Sequence, residues 1–258
     1  MSIAVEYAPP RRHRFFLWMA VALVIGVLWG FGPTYFLRPF IHTRDISWIV
    51  HVHVLIYVGW IALFVVQATL VAKHRTDIHR RLGAVGVVWA VAVVTAGIVV
   101  VLAALPPPAR AAWNAVHGPI ASFLWLARTV AADPMTFGLL FAAAIALRRH
   151  SQAHKRLMLL ACVAIMFAAL ARAFDDLGWP IVLGPFGFES PNSPFVLLGP
   201  LLSPYGFSNL IPLLPLFVAL VAYDLVKTKR VHPATLCGGL LLFLFRPLAI
   251  LLFPLVTA

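Results

Sequence analysis

Long apolar runs alternate with short basic stretches along this chain of 258 residues. A helix that crosses a hydrocarbon core of about 30 Å needs roughly 20 apolar residues. Seven runs meet this need, and they are continuously apolar instead of alternating, which predicts helices and not the strands of a barrel. We therefore predict an all-α polytopic membrane protein, with one transmembrane domain over 1–258. Its seven spans are expected at 15–36, 47–72, 83–105, 120–147, 157–174, 208–226 and 235–255, with the second to fifth forming the core.

Composition agrees with this pattern, since 62% of the residues are hydrophobic and 11% are charged, against about a quarter charged in soluble domains. The basic residues also predict the orientation, because Lys and Arg accumulate in cytoplasmic loops. Four stretches hold 14 of the 20 Lys and Arg residues: 11–14, 73–81, 148–156 and 227–230. This places the N-terminus in the cytoplasm and the C-terminus outside. The net charge of +12 then predicts contact with anionic lipid headgroups and not with nucleic acid.

Two of the basic stretches repeat each other at an offset of 75 residues. The matched pairs are Thr76 and Ser151, His79 and His154, Arg80 and Lys155, Arg81 and Arg156, and Leu82 and Leu157. This predicts two cytoplasmic loops within a duplicated helical hairpin, with repeats at 47–106 and 117–175. The alternative is that any short inner loop needs basic residues, which accounts for the Arg and Lys matches but not for the histidine in register.

Each of the four central helices begins with a histidine: His53 or His51, His79, His117 and His154. Paired histidines on facing helices, at both membrane faces, are what two b-type haems require. Neutral imidazole is also a common ligand of transition metals. We therefore predict an integral membrane redox protein that binds haem b or a transition metal.

A polar stripe in the second helix supports a different function. His53, Trp60, Gln67 and His74 are spaced by seven residues, so on one helix they share a face. Such a stripe favours a small-solute or proton-coupled transporter. A third possibility is a non-catalytic subunit of a membrane protein complex, with interfacial histidines. The sequence assigns no reaction, substrate or oligomeric state.

A charged cluster is predicted at the outer side, from Arg172, Asp175 and Asp176 of the fifth helix and Arg246 of the seventh. These residues either form an ion pair that braces the two helices, or the two arginines bind the carboxylates of a cofactor or substrate. A mixed metal site is also possible on this side. Its candidate ligands are His51, His53, His117, Asp175 and Asp176.

The motif HVH (51–53), Trp60, Gln67, LVA (70–72) and DIHRRLG (77–83) resembles a family of bacterial multi-helix membrane proteins of unknown function. The resemblance extends over most of 47–175 and implies a location in the bacterial inner membrane. It implies no activity.

The four histidines also have a placement similar to that of diheme b-type cytochromes of the ascorbate-reducing, ferric-reductase kind. That resemblance implies axial pairs of His53 with His117 and of His79 with His154. Ala-Asp-Pro at 132–134 interrupts the fourth helix, and the alternative is that 109–128 forms an interfacial helix with His117 outside the bundle. Two imidazoles on one iron need ligating nitrogens about 4 Å apart. The alternative is that the His79 and His154 rings cap helix ends or face lipid phosphate, with no mutual geometry.

Overall fold

The computed structural model describes residues 14–40, 46–104, 131–176 and 211–256, with side chains described at 14–40, 46–103, 133–173 and 211–245. All regular elements in these ranges are helical. The α-helices are α1 (Phe15–Phe31), α2 (Trp48–Ala72), α3 (Thr76–Ala104), α4 (Thr136–Ala146), α5 (Ser151–Ala164), α6 (Phe167–Asp176), α7 (Leu214–Thr228) and α8 (Pro233–Val256). A π-helical turn follows α1 at Gly32–Phe36, ahead of a short 3₁₀ turn at Arg38–Phe40, and another π-helical turn precedes α4 at Ala131–Met135.

Four helical stretches are long and apolar enough to cross a membrane: Phe15–Phe40, Trp48–Ala72, Thr76–Ala103 and Ile211–Thr228. The pair α5 and α6 makes a fifth if the two helices count as one span, although they meet at a bend of 59°. Many large apolar side chains on these helices face outward, among them Leu55, Val88 and Val226. An apolar outer surface of this extent is expected for a helix bundle in lipid. The prediction of an all-helical protein with helices able to span a membrane is therefore confirmed, while seven spans exceed what the described helices establish.

The centre of the bundle is α5, which packs against α1, α4, α7 and α8. Its residues from Leu159 to Ala164 are buried without interruption, so no face of this part of the helix is free. By contrast, α2 and α3 pack mainly on each other and keep exposed apolar faces. The predicted core of the second to fifth helices is thus unevenly buried. The first, sixth and seventh predicted spans were expected only to surround this core. The corresponding helices α1, α7 and α8 contact the central helix α5 directly.

Close helix packing at α5 and α6 depends on glycines in the neighbouring helices. A Cβ atom built on Gly30 of α1 would lie 1.9 Å from the backbone oxygen of Ala169 in α6. A Cβ atom on Gly238 of α8 would lie 2.5 Å from a Leu160 methyl group. Small residues allow helices in membranes to approach this closely, which increases their van der Waals contact.

The two repeated stretches were predicted to be loops. Their matched residues instead form the first turns of α3 and α5. Thr76 and Ser151, which match in the repeat, are the first residues of these helices. The preceding connections are the short turns 73–75 and 147–150. Ser and Thr are well suited to helix starts, since their hydroxyl groups compete for backbone hydrogen bonds elsewhere in a helix. Both turns, together with the α7–α8 connection at 229–232, lie at one end of the bundle, called the basic end below.

Candidate functional site

The histidine pair His79 and His154 lies between α3 and α5 at the basic end. Each histidine is the fourth residue of its helix, as the repeat requires. Their ring centroids are 6.3 Å apart, and the ring planes are nearly perpendicular at 82°. The expectation that these two rings come together is confirmed. The alternative, in which the rings cap helix ends or face lipid phosphate, needs no mutual geometry, and this distance does not test it.

Hydrogen bonding orients one ring of the pair. Nδ1 of His154 lies 2.9 Å from the carbonyl oxygen of Ala144 in α4. Because a carbonyl oxygen can only accept, Nδ1 carries a proton, and in the neutral ring Nε2 has the lone pair. Nδ1 of His79 is buried and has no hydrogen-bond partner in the described part of the chain. The pair therefore combines one imidazole that is held in a fixed tautomer with one that has an unused buried nitrogen.

Two further buried polar atoms without a described partner lie on α2, whose inward face leads to the histidine pair. They are Nε1 of Trp60, which has only the Cys162 thiol beside it, and Oε1 of Gln67. The Trp60 ring packs edge-on against Phe137 and Phe141 of α4. The Gln67 amide lies beside Gly83, one helical turn beyond His79, with 3.9 Å between its Nε2 and a Cβ built on that glycine. We call Trp60, Gln67 and His79 the polar seam.

The predicted stripe on α2 is therefore confirmed for His53, Trp60 and Gln67 but not for His74. The helix ends at Ala72, and His74 lies in the following turn with a left-handed φ of 59°. Its side chain is exposed. The seven-residue spacing continued past the end of the helix, where it no longer describes a common face.

A second polar cluster at the basic end joins α5, α7 and α8, and the sequence did not predict it. Arg156 Nε donates to Asp224 Oδ1 at 2.9 Å, and Thr235 donates its hydroxyl to Asp224 Oδ2 at 2.6 Å. The backbone N–H of His232 donates to the same oxygen at 3.0 Å. Arg156 also donates to the Gln152 side chain. The only available sequence signal was Asp224 itself, an acidic residue within an apolar run, where such residues need a partner.

The link between α7 and α8 carries a histidine beside this cluster. His232 Nδ1 accepts a hydrogen bond from the backbone N–H of Ala234 at 3.1 Å. Burial lowers the pKa of His232, and the nearby positive charge of Arg156 lowers it further. Lys155 acts in the same direction, whereas Asp224 opposes the shift. The ring therefore keeps its acceptor nitrogen unprotonated to lower pH than an exposed histidine would.

At the opposite end of α2, the two histidines of the HVH motif have different surroundings. His53 is partly buried, and the centroid of its ring lies 4.0 Å from that of the Tyr57 ring. Its Nδ1 lies 3.4 Å from the carbonyl oxygen of Ala96 in α3. His51 is exposed, and its Nδ1 forms a 2.8 Å hydrogen bond with the Tyr35 hydroxyl. Among the described side chains, no three of the types His, Cys, Asp and Glu are arranged to hold a metal ion.

Several predicted site residues lie beyond what the structure describes. His117 falls outside the described ranges, and Asp175, Asp176 and Arg246 belong to helices but lie outside the described side chains. The outer haem pair and the mixed metal site therefore stay predictions. Arg172 is exposed, donates to the Ala168 carbonyl oxygen at 2.8 Å, and lies 4.9 Å from the centre of the Phe31 ring.

No family model, curated protein or solved structure matches this chain.

Proposed function

We propose that this protein is an integral membrane redox protein in which His79 and His154 ligate the iron of a b-type haem. The observation that carries the proposal is the distance of 6.3 Å between their ring centroids. Two imidazoles on opposite sides of one metal ion, each with a metal–nitrogen bond of about 2 Å, have ring centroids roughly 6 Å apart. If haem is bound, His79 and His154 would hold its iron, and the 82° angle between their ring planes does not prevent this.

The number of protein ligands favours haem over a bare transition metal. Protein sites for zinc and similar metals use three or four protein ligands. The histidine pair supplies two, and no third His, Cys, Asp or Glu joins it among the described residues. A porphyrin provides the four equatorial nitrogens itself, so two axial imidazoles complete the coordination of its iron.

The protonation state of the pair suits ligation. The Ala144 carbonyl oxygen fixes the proton of His154 on Nδ1, which is the common way in which proteins orient a metal-ligating histidine. His79 contributes the buried nitrogen that has no described partner, and an iron ligand would satisfy such an atom. Both histidines precede a basic residue, Arg80 and Lys155, and cations near this end suit the propionate groups of haem. When bound, haem would supply one-electron exchange; the chain supplies ligands and charge compensation.

The proposed topology follows from the basic residues at the basic end of the bundle. We infer seven spans, with the basic end in the cytoplasm, the C-terminus outside, and α2–α3 and α4–α5 as diverged copies of one hairpin. The equivalent helix starts at Thr76 and Ser151 support the duplication. The assignment to a bacterial inner membrane, and to an uncharacterised bacterial family, rests on the sequence motif alone.

A proton-coupled transporter is the second candidate, and the polar seam favours it. Gln67 Oε1 and His79 Nδ1 are buried without a close hydrogen bond among the described residues, and the Trp60 N–H has only the Cys162 thiol beside it. Buried polar groups of this kind are commonly bridged by internal water, and a line of such waters can carry protons. This function predicts proton flux in proteoliposomes that Gln67→Leu abolishes and that does not need haem.

The test of the haem proposal is a visible spectrum of the purified protein after expression with sufficient haem supply. We expect a Soret band and a sharp band of the reduced haem, both lost in His79→Ala and in His154→Ala. Matched controls are His74→Ala and His150→Ala, which remove exposed histidines at the same end. Absence of haem from the parent protein, or unchanged spectra in both pair variants, would overturn the proposal.

A further inference from the structure

A cavity of about 180 Å³ lies between α1, α2 and α3, beside the bend that separates α5 from α6. The cavity is distant from the histidine pair. Its polar residues His53 and Tyr57 lie near the start of α2, whereas the histidine pair lies near the end of α2. Most of its lining is aliphatic, and three side chains provide polar atoms: His53, Tyr57 and Asp133.

Two interruptions of regular helix create this space. Ile165 and Met166, at the bend between α5 and α6, form one wall. Pro134, in the π-helical turn before α4, forms another. Breaks in membrane helices are places where ligand sites are commonly built, because the helix no longer fills the space with its own side chains.

Gly97 of α3 completes the wall opposite Tyr57. A Cβ atom at this position would lie 2.4 Å from the Tyr57 hydroxyl oxygen and 3.0 Å from Cβ of Pro134. The absence of a side chain at Gly97 therefore leaves room for the Tyr57 hydroxyl group beside α3, at the cavity. A larger residue at position 97 would displace that hydroxyl group.

The volume limits the size of a ligand. A cavity of about 150 Å³ inside a protein is known to hold one benzene ring. The cavity of about 180 Å³ therefore fits one six-membered ring with small substituents, and it is too small for the four linked pyrrole rings of a porphyrin. An outer haem at His53 would need space beyond this cavity.

The polar side chains define the substituents. Nδ1 of His53 faces the Ala96 carbonyl oxygen at 3.4 Å, which favours a proton on Nδ1 and leaves Nε2 as an acceptor. The Tyr57 hydroxyl group can donate or accept. An oxygen atom on a ring can pair with either group: a phenol hydroxyl donates to His53 Nε2 or accepts from Tyr57, and a quinone carbonyl accepts from the Tyr57 hydroxyl group.

We propose that this cavity binds an oxygen-substituted six-membered ring, the shared chemistry of a membrane quinone headgroup and a free phenol. Binding at this site does not depend on the haem proposal. The aliphatic wall contributes burial of the ring, while His53 and Tyr57 select for its oxygen atoms. Such selection can be large, because a pocket built for hydrogen bonds disfavours an analogue that leaves its polar groups unpaired.

The experiment is calorimetric titration of the detergent-solubilised protein with benzene, phenol and a short-chain benzoquinone, each corrected for partition into empty micelles. We expect phenol or the benzoquinone to bind at least tenfold more tightly than benzene. Tighter binding of the chain-bearing quinone identifies a lipid source, and tighter binding of phenol identifies a soluble one. Equal affinity for all three ligands, or no binding, would overturn the proposal.

Variants in matched pairs test the residues. His53→Ala should weaken binding of phenol, and Tyr57→Phe should weaken binding of the favoured ligand, each at least fivefold. Their controls are His51→Ala and Tyr35→Phe, which alter the exposed hydrogen-bonded pair outside the cavity. Ala168→Leu places extra carbon atoms in the cavity without removing a polar group and should abolish binding. Retention of the thermal midpoint shows that each variant is folded, and unchanged affinity in all three cavity variants would contradict the assignment.

Discussion

Arg156 and Asp224 form an ion pair that is closed to solvent, with 1% and 0% of the two side chains exposed. The pair joins α5, the central helix, to α7, and Thr235 extends it to α8. In the repeated stretch, Arg81 of α3 is the counterpart of Arg156, yet its side chain is exposed. The same position therefore has two roles: in one copy it braces three helices, and in the other it lies at the surface of the basic end.

Removal of one partner of this pair should strongly destabilise the protein. Asp224→Ala leaves the guanidinium of Arg156 buried without its counter-charge, which typically costs about 3–5 kcal/mol. We expect a loss of this size in the free energy of unfolding, measured by denaturant titration in micelles. The control Arg81→Ala should change the free energy by less than about 0.5 kcal/mol, because its side chain is exposed. Equal effects of the two variants would show that the buried pair does not brace the bundle.

Close packing of α1 on α6 predicts a large effect of a single methyl group. Gly30→Ala would bring Cβ to 1.9 Å from the Ala169 oxygen, so the helices must separate. We expect a loss of about 1–3 kcal/mol in the free energy of unfolding, the usual cost of overpacking. Gly32→Ala is the control, since a Cβ there meets no atom within 4 Å. A decrease in the thermal midpoint for Gly32→Ala as large as that for Gly30→Ala would contradict the packing argument.

Acidic pH should destabilise the protein through His232. The pKa of His232 is lowered in the folded protein, first by burial and then by Arg156, whereas the unfolded chain has the ordinary value of about 6.5. Between these two values the unfolded state binds more protons, so the free energy of unfolding falls as pH falls through that window. His232→Asn removes this titration. Its thermal midpoint should therefore decline less than that of the parent protein between about pH 7 and pH 5. Parallel pH profiles would show that His232 makes no contribution.

The sequence predicted those features that depend on local pattern. The second span was expected at 47–72 and is observed at Trp48–Ala72, because a continuous apolar run ends there at a basic turn. The contact between His79 and His154 was also anticipated from the repeat. In both cases the prediction came from residues within the helices concerned: the apolar run of α2 and the repeated stretches that begin α3 and α5.

Features that depend on distant residues could not be predicted in this way. The bend at Ile165 and Met166 lies within an unbroken apolar run that contains neither Gly nor Pro, so nothing local marks it. The partner of Asp224 is 68 residues away in the sequence. Its identity depends on which helices become neighbours, and several basic residues at the same end were equally available. The cavity at His53 likewise forms only where three helices and the bend at Ile165 and Met166 come together.

Gln67 and Gln152 allow the same substitution at a buried amide oxygen without a described partner and at an exposed residue whose amide oxygen has a partner. Gln67 Oε1 is buried and unpaired within the described residues, whereas Gln152 Oε1 accepts a 2.9 Å hydrogen bond from Arg156. An unsatisfied buried polar group costs about 1–3 kcal/mol, and methionine has nearly the same length without that cost. Gln67→Met should therefore raise the free energy of unfolding by about 1 kcal/mol, and Gln152→Met should lower it by about 0.5–1.5 kcal/mol. Denaturant titration of both variants in the same micelles measures the contrast. If Gln67→Met instead destabilises the protein, the Gln67 oxygen has a partner, such as a bound water of the polar seam, and the transporter candidate gains support.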